Sequence, residues 1–162
     1  MSLTVGTDAY ATSEEVAAYW EARNDNTFDE ADEAAQDAAI RAATAYLDVN
    51  FHWVGKLADT SQLLGWPRTC AYDHERRELT GIPQRVKDAT GELAKLALSG
   101  PLVSMSVGGS QGAVKREKIG AVEVEYESTS GGSEGGYSYV VALLRGIGAF
   151  KGGSGPLKVV RT

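Results

Sequence analysis

Apolar residues recur at the three- and four-residue spacing of an amphipathic helix in two stretches before Phe51. The first stretch covers about 13–23, where Thr12 and Glu15 have the spacing of a capping box. The second is rich in alanine, a strong helix former, and we expect Asp29 to cap its start. Two helices are therefore predicted, one short and one long.

A third amphipathic pattern opens at Pro83, where proline fits the first helical position, and stops at Gly100-Pro101. Residues 52–81 have no such period and are expected to be irregular. Trp53 and Trp66 lie in this stretch, so we expect it to be anchored to the core rather than to be a free linker.

The pattern changes to strict alternation after the third helix. Val122, Val124 and Tyr126 alternate with glutamates, which predicts a β-hairpin over about 113–127 that turns near 119–121. Residues 137–144 fit a short helix or a strand, with a slight preference for the helix. The predicted fold class is mainly α, a small helical bundle with an inserted β-hairpin and an extended C-terminal arm.

Length and composition indicate one domain. The chain has 162 residues, of which 43% are hydrophobic, enough for a single core. Within this domain we expect a helical body over about 1–105 and 137–150, and a flexible arm over 151–162. The sequence lacks an apolar run long enough to span a membrane and a secretory signal, so we expect a cytosolic protein without membrane contact.

Charge is unevenly distributed along the chain. The net charge is −6, but residues 1–50 hold eleven acidic and two basic side chains, so they carry −9 and the remaining residues carry +3. Such a division allows head-to-tail attraction between copies, although an acidic helix face is often merely solvated. The overall acidity argues against nucleic-acid binding, which depends on basic surface.

Residues for catalysis are sparse. The chain has one cysteine, Cys70, and two histidines, His52 and His74, so it has three nitrogen or sulfur ligands where a structural zinc site takes four. The glycine clusters lack the order of a phosphate-binding loop, and Cys70 is expected to be a half-buried thiol beside Tyr72. We therefore predict no enzyme activity, no metal and no cofactor.

Two motifs carry a family resemblance. These are Ser-Gln-Leu-Leu-Gly-Trp-Pro-Arg at 61–68 and Ile-Pro-Gln-x-Val-Lys-Asp-Ala-Thr-x-Glu-Leu-Ala at 82–94, with further likeness in order from about 5 to 150. The chain resembles the head–tail connector, or head-completion adaptor, family of tailed bacteriophages. Some members of that family carry the label of a DnaT-like single-stranded-DNA-binding protein.

The resemblance implies a structural virion protein that adapts the head to the tail. It implies a homo-oligomeric ring, a dodecamer, between the portal protein and a tail-completion or stopper protein, with DNA passing through its channel without specific binding. The location implied is the virion neck, assembled in the host cytoplasm. The alternative is a single-stranded-DNA-binding accessory protein of replication.

Three segments are candidate interaction sites. Trp66-Pro67-Arg68 either plugs the end of the bundle, with Arg68 paired to an acid, or contacts the portal. The hairpin offers Val122, Val124 and Tyr126 to neighbouring copies, because an isolated hairpin is marginally stable. The third segment, the C-terminal arm after Gly152, either adds as a strand to a neighbour or is a frayed terminus, and its candidate residues are Leu157, Val159, Val160 and Arg161.

Overall fold

The computed structural model describes residues 3–102, 117–119, 122–124 and 134–151, with side chains omitted at 117–119, 122–124 and 134–137. No helix among these residues has the length and apolar character needed to cross a membrane. The elements in chain order are α1 (Ser13–Glu21), α2 (Glu33–Asn50), β1 (Phe51–Trp53), β2 (Lys56–Leu57), β3 (Arg68–Thr69), α3 (Gln84–Ser99), β4 (Glu117–Ile119), β5 (Val122–Val124), α4 (Glu134–Leu143) and β6 (Gly148–Phe150).

The starts of α1 and α2 are set by side-chain caps. The capping box of α1 is formed as predicted, with Thr12 and Glu15 each accepting from the other's backbone N–H at 3.1 Å. Helix α2 is capped by Asp32, and the prediction of Asp29 is wrong. The reason is that the Gln36 amide donates to the carbonyl of Asp29 and to two neighbouring carbonyls, which holds that segment as a turn.

The core lies where α3 packs against α2, α1 and α4. Pro83 is the N-cap of α3 rather than its first residue, and Gly100 ends the helix as predicted. Helix α1 is held to α3 by Trp20, whose Nε1 donates to the carbonyl of Gly91 at 3.1 Å. The largest fully buried apolar side chains are Trp66, Tyr10, Phe28, Ile40, Leu47, Leu93, Leu144, Ile147, Val16, Val86 and Val140.

Residues 52–81 contain strands that the sequence did not predict. Strand β1 pairs with β6 in antiparallel register, with Phe51 opposite Phe150, and β2 pairs with β3. Strands of two or three residues are too short to show alternation. Residues 148–150 were expected within the helical body, but Gly146 has φ +90°, and the chain leaves the helical conformation there to pair with β1.

The hairpin and the helix predicted in the later part of the chain are both present where the structure describes it, with a different start for the helix. Strands β4 and β5 pair with Ile119 opposite Val122, as expected for a turn near 119–121. Residues 137–143 are helical, but α4 begins earlier, at Glu134. The remainder of the predicted hairpin and arm lies outside the described residues, including Tyr126, Gly152, Leu157, Val159, Val160 and Arg161. The described fold combines helices with small antiparallel strand pairs.

Candidate nucleic-acid interface

A groove of about 360 Å³ lies beside β1 and the loop that follows β2. It combines two aromatic side chains, three leucines, one histidine, one arginine and one lysine, and we refer to it as the indole groove. Its lining residues are Asp48, Phe51, His52, Trp53, Leu57, Gln62, Leu63, Leu64, Gly65, Arg68 and Lys151.

Asp48, near the end of α2, holds the parts of the indole groove together. Its carboxylate accepts hydrogen bonds from the hydroxyl of Tyr10, from Trp53 Nε1 at 3.2 Å and from the Gly65 N–H at 3.0 Å. Burial, and then the hydrogen bond to Asp48, raise the pKa of Tyr10 far above its usual value, so the phenol remains a neutral donor. One carboxylate therefore joins the N-terminal segment, β1 and the loop.

The indole of Trp53 is fixed by close packing on several sides. It stacks on Phe51 with centroids 5.7 Å apart and meets Trp66 edge to face at 6.0 Å. A Cβ at Gly65 would lie 2.7 Å from indole Cδ1, and a Cβ at Gly148 would lie 2.9 Å from Cε3. Glycine is therefore required at both positions for the ring to occupy its half-buried place in the groove.

Arg68 is held by carbonyl oxygens rather than by an acid. Its guanidinium donates to the carbonyls of Val54 at 2.6 Å, Gly65 at 3.0 Å and Gly55 at 2.8 Å. The expectation that Arg68 pairs with an acid is wrong, because β2 and β3 bring these three carbonyls around it. Its positive charge is thus oriented, and no carboxylate of the described part of the chain pairs with it.

Lys151 is the second basic side chain of the groove. It follows β6, is exposed, and donates from Nζ to the carbonyl oxygen of Asp48 at 2.9 Å. Its described contacts include no carboxylate, and the Asp48 carboxylate in the same groove already accepts three hydrogen bonds. A bound anion therefore meets two positive charges that lack a carboxylate partner among the described residues.

The other two residues of the predicted Trp66-Pro67-Arg68 contact do not line the indole groove. Trp66 is 0% exposed, and its Nε1 has no hydrogen-bond partner among the described residues, so the ring lies in the core behind the groove. Pro67 is half-buried and follows a cis peptide bond. Cys70 is exposed, which contradicts the expected half-buried thiol, because its φ of +52° places it in a turn on the surface.

A second cavity, of the same volume, lies beside the start of α3. It is lined by Arg77 and Arg85 but also by two carboxylates, Asp73 and Glu78, and its lining residues in the described ranges include no aromatic ring. Asp73 pairs with Arg77 at 2.8 Å, and the backbone N–H of Arg77 is the main cause of a lowered pKa at Asp73. We refer to it as the α3 cavity.

Sequence reasoning missed three residues of the indole groove. Asp48 was visible as an acid near the end of an alanine-rich apolar helix face, but nothing in its spacing indicated three hydrogen bonds. Leu63 and Lys151 are distant in sequence, and only the pairing of β1 with β6 brings Lys151 to the groove.

Among the described residues, no His, Cys, Asp and Glu side chains are grouped so that they could hold a metal ion.

Comparison with known proteins gives one family. A family model described as "Putative DnaT-like ssDNA binding protein" matches residues 2–162. Neither a curated protein nor a solved structure matches the chain.

This match corrects the functional prediction made from the sequence. The head-to-tail adaptor of a virion is wrong as the main interpretation, because the matching family is described by single-stranded-DNA binding and the comparisons give no support to a head–tail connector family. The portal and stopper partners were deduced from that interpretation and are withdrawn with it. The DnaT-like label, which the sequence resemblance also carried, is the part that the comparison supports.

Proposed function

The chain belongs to the DnaT-like single-stranded-DNA-binding family, and we propose that it binds single-stranded DNA in the indole groove without catalysing a reaction. The observation that carries this proposal is the combination, in one groove, of the Trp53 ring with Arg68 and Lys151. Proteins that bind single strands without sequence preference pair aromatic stacking surfaces with basic side chains that follow the phosphates.

The charges of the groove favour a phosphate ligand. Arg68 and Lys151 lack carboxylate partners among the described residues, so a phosphate does not have to displace an existing ion pair there. In the α3 cavity, by contrast, Arg77 is already paired with Asp73, and Glu78 adds a second negative charge. The indole groove is therefore the better phosphate site of the two.

The acidity of the whole chain does not oppose this assignment. Eleven of the acidic residues lie in residues 1–50, and only one of them, Asp48, lines the groove. The groove draws its basic residues from the later part of the chain, which carries a net charge of +3. Screening at physiological salt, with a Debye length of about 8 Å, limits repulsion from acids elsewhere on the surface.

The proposal is tested by fluorescence anisotropy with a labelled oligothymidylate of about 12 nucleotides, at low salt and across a salt series. Lys151→Ala is expected to weaken binding about two- to fivefold, the range of one exposed ion pair. It should also lower the slope of log affinity against log salt by about 0.7, the value for one phosphate contact on a single strand.

Arg85→Ala is the matched control, because it removes one positive charge from the α3 cavity instead. We expect its affinity and salt slope to equal those of the wild type. The proposal is wrong if the wild-type protein gives no anisotropy change at low salt. If Arg85→Ala weakens binding and Lys151→Ala does not, the DNA site is the α3 cavity and not the indole groove.

A further inference from the structure

One wall of the indole groove is formed by Leu63, whose side chain is exposed to solvent. Leu63 is 81% exposed, the highest value among the exposed large apolar side chains. It lines the groove together with Trp53 and with Leu57, which is itself 42% exposed. Two exposed leucines beside a half-buried indole give the groove an apolar surface that is open to a ligand.

The loop that carries this leucine is held in shape by its own hydrogen bonds. The Asp59 carboxylate accepts from the N–H and the hydroxyl of Ser61, both at 2.8 Å. The Gln62 side chain accepts from the Asp59 N–H at 3.0 Å and donates to the carbonyls of Leu64 at 2.7 Å and Pro67 at 2.9 Å. The exposed leucine is therefore presented by an ordered loop, and binding through it costs little loop entropy.

We infer that Leu63 contacts the face of an unpaired base bound in the indole groove and thereby makes the groove selective for single-stranded over duplex DNA. The inference rests on the proposed function and adds the residue that recognises the base. The faces of nucleobases are apolar, but in a duplex they are covered by the neighbouring base pairs. Only a single strand can place a base face against Leu63 while its phosphates reach Lys151.

An exposed leucine alone would not support this inference, because isolated apolar residues are common on protein surfaces. Val49 is such a residue: it is 67% exposed and does not line the groove. Leu63 differs because it lines a groove together with Trp53, Arg68 and Lys151, and because its loop is held by its own hydrogen bonds. Val49 therefore serves as the control for truncating an exposed apolar side chain.

The test compares Leu63→Ala with the wild type on two strands of equal length, an oligothymidylate and an abasic strand with the same phosphates. We expect Leu63→Ala to weaken oligothymidylate binding about tenfold, the loss expected when most of a leucine side chain is no longer buried on binding. Binding of the abasic strand and the salt slope should not change, because no charge is removed. The preference for single-stranded over duplex DNA should be lower in Leu63→Ala than in the wild type by a similar factor. Val49→Ala should change none of these values.

The outcomes separate this inference from the proposed function. If the wild type binds and Lys151→Ala has its expected effect, but Leu63→Ala binds oligothymidylate as the wild type does, the inference is overturned and the proposed function stands. An equal loss on the oligothymidylate and the abasic strand also overturns it, because Leu63 would then act without a base. If the wild type binds neither strand, the proposed function itself fails. Circular dichroism of each variant checks that substitution of an exposed side chain has left the fold intact.

Discussion

Asp48→Ala is expected to lower the free energy of unfolding by about 4 kcal/mol, a large effect for a half-buried surface acid. The substitution removes the acceptor of three hydrogen bonds, from the Tyr10 hydroxyl, Trp53 Nε1 and the Gly65 N–H. These donors belong to three different segments, the N-terminal segment, β1 and the loop after β2. Their loss therefore loosens the indole groove as well as the fold.

The magnitude follows from the burial of each donor. Tyr10 is 0% exposed, so water cannot replace the lost acceptor, and an unsatisfied buried hydroxyl costs about 2 kcal/mol. Trp53 and Gly65 are half-buried and water can reach them, so each lost bond to the carboxylate costs about 1 kcal/mol. Asp48→Asn keeps one acceptor oxygen and should cost about 1–2 kcal/mol.

Urea unfolding followed by circular dichroism measures these differences. Tryptophan fluorescence of the folded protein, to which Trp20, Trp53 and Trp66 all contribute, should also differ between variant and wild type, because Trp53 loses its acceptor. Glu21→Ala is the control, because Glu21 is an exposed acid at the end of α1 and its loss should change stability by less than about 0.5 kcal/mol. A loss below about 1 kcal/mol for Asp48→Ala, or equal losses for Asp48→Ala and Asp48→Asn, would refute the assignment of Asp48 as the residue that joins the three segments.

Three further predictions concern Asp25, which follows α1, and one glycine each in β6 and α3. Hydrogen bonds from Lys95 and then from Thr27 lower the pKa of Asp25 from 3.8 to about 2. The stability from this carboxylate is therefore present above pH 3.8 and is lost as the pH falls toward 2, so the difference in urea stability between wild type and Asp25→Asn should shrink across that window. Gly148→Ala should destabilise by about 1–3 kcal/mol in urea unfolding, because its Cβ would lie 2.9 Å from the β1 indole. Gly91→Ala should stabilise α3 by about 0.5–1 kcal/mol in the same assay, since the nearest atom to its Cβ is 3.4 Å away and alanine is the better helix former.

The helices were predictable because their signals are local. Thr12 and Glu15 form the capping box that their spacing indicates, and the apolar period of α3 matches its buried Val86, Ala89 and Leu93. The start of α2 was misplaced by three residues because Asp29 and Asp32 are both acceptable caps by type. The choice between them depends on Gln36, whose side chain bonds to the preceding turn.

The indole groove was not predictable, because it depends on contacts between distant residues. Lys151 reaches the carbonyl of Asp48 only after β6 has paired with β1. Both strands have three residues, which is too few for a periodic signal. Arg68 illustrates the same limit: its type indicated an ion pair, whereas its position among three carbonyl oxygens depends on the pairing of β2 with β3.

Assembly of the groove and binding of a ligand are linked for the same reason. Lys151 belongs to the groove only in the state in which β6 is paired with β1, where its backbone N–H also donates to the Asn50 carbonyl at 2.7 Å. A single strand that contacts both Lys151 and Trp53 would bind this paired state more tightly than any state in which β6 has separated from β1. By mass action such a ligand would stabilise the docking of β6, and with it the packing of α4 against α3. The groove is in this sense part of the fold, because the pairing of β6 with β1 both brings Lys151 to the groove and joins the end of the described chain to its core.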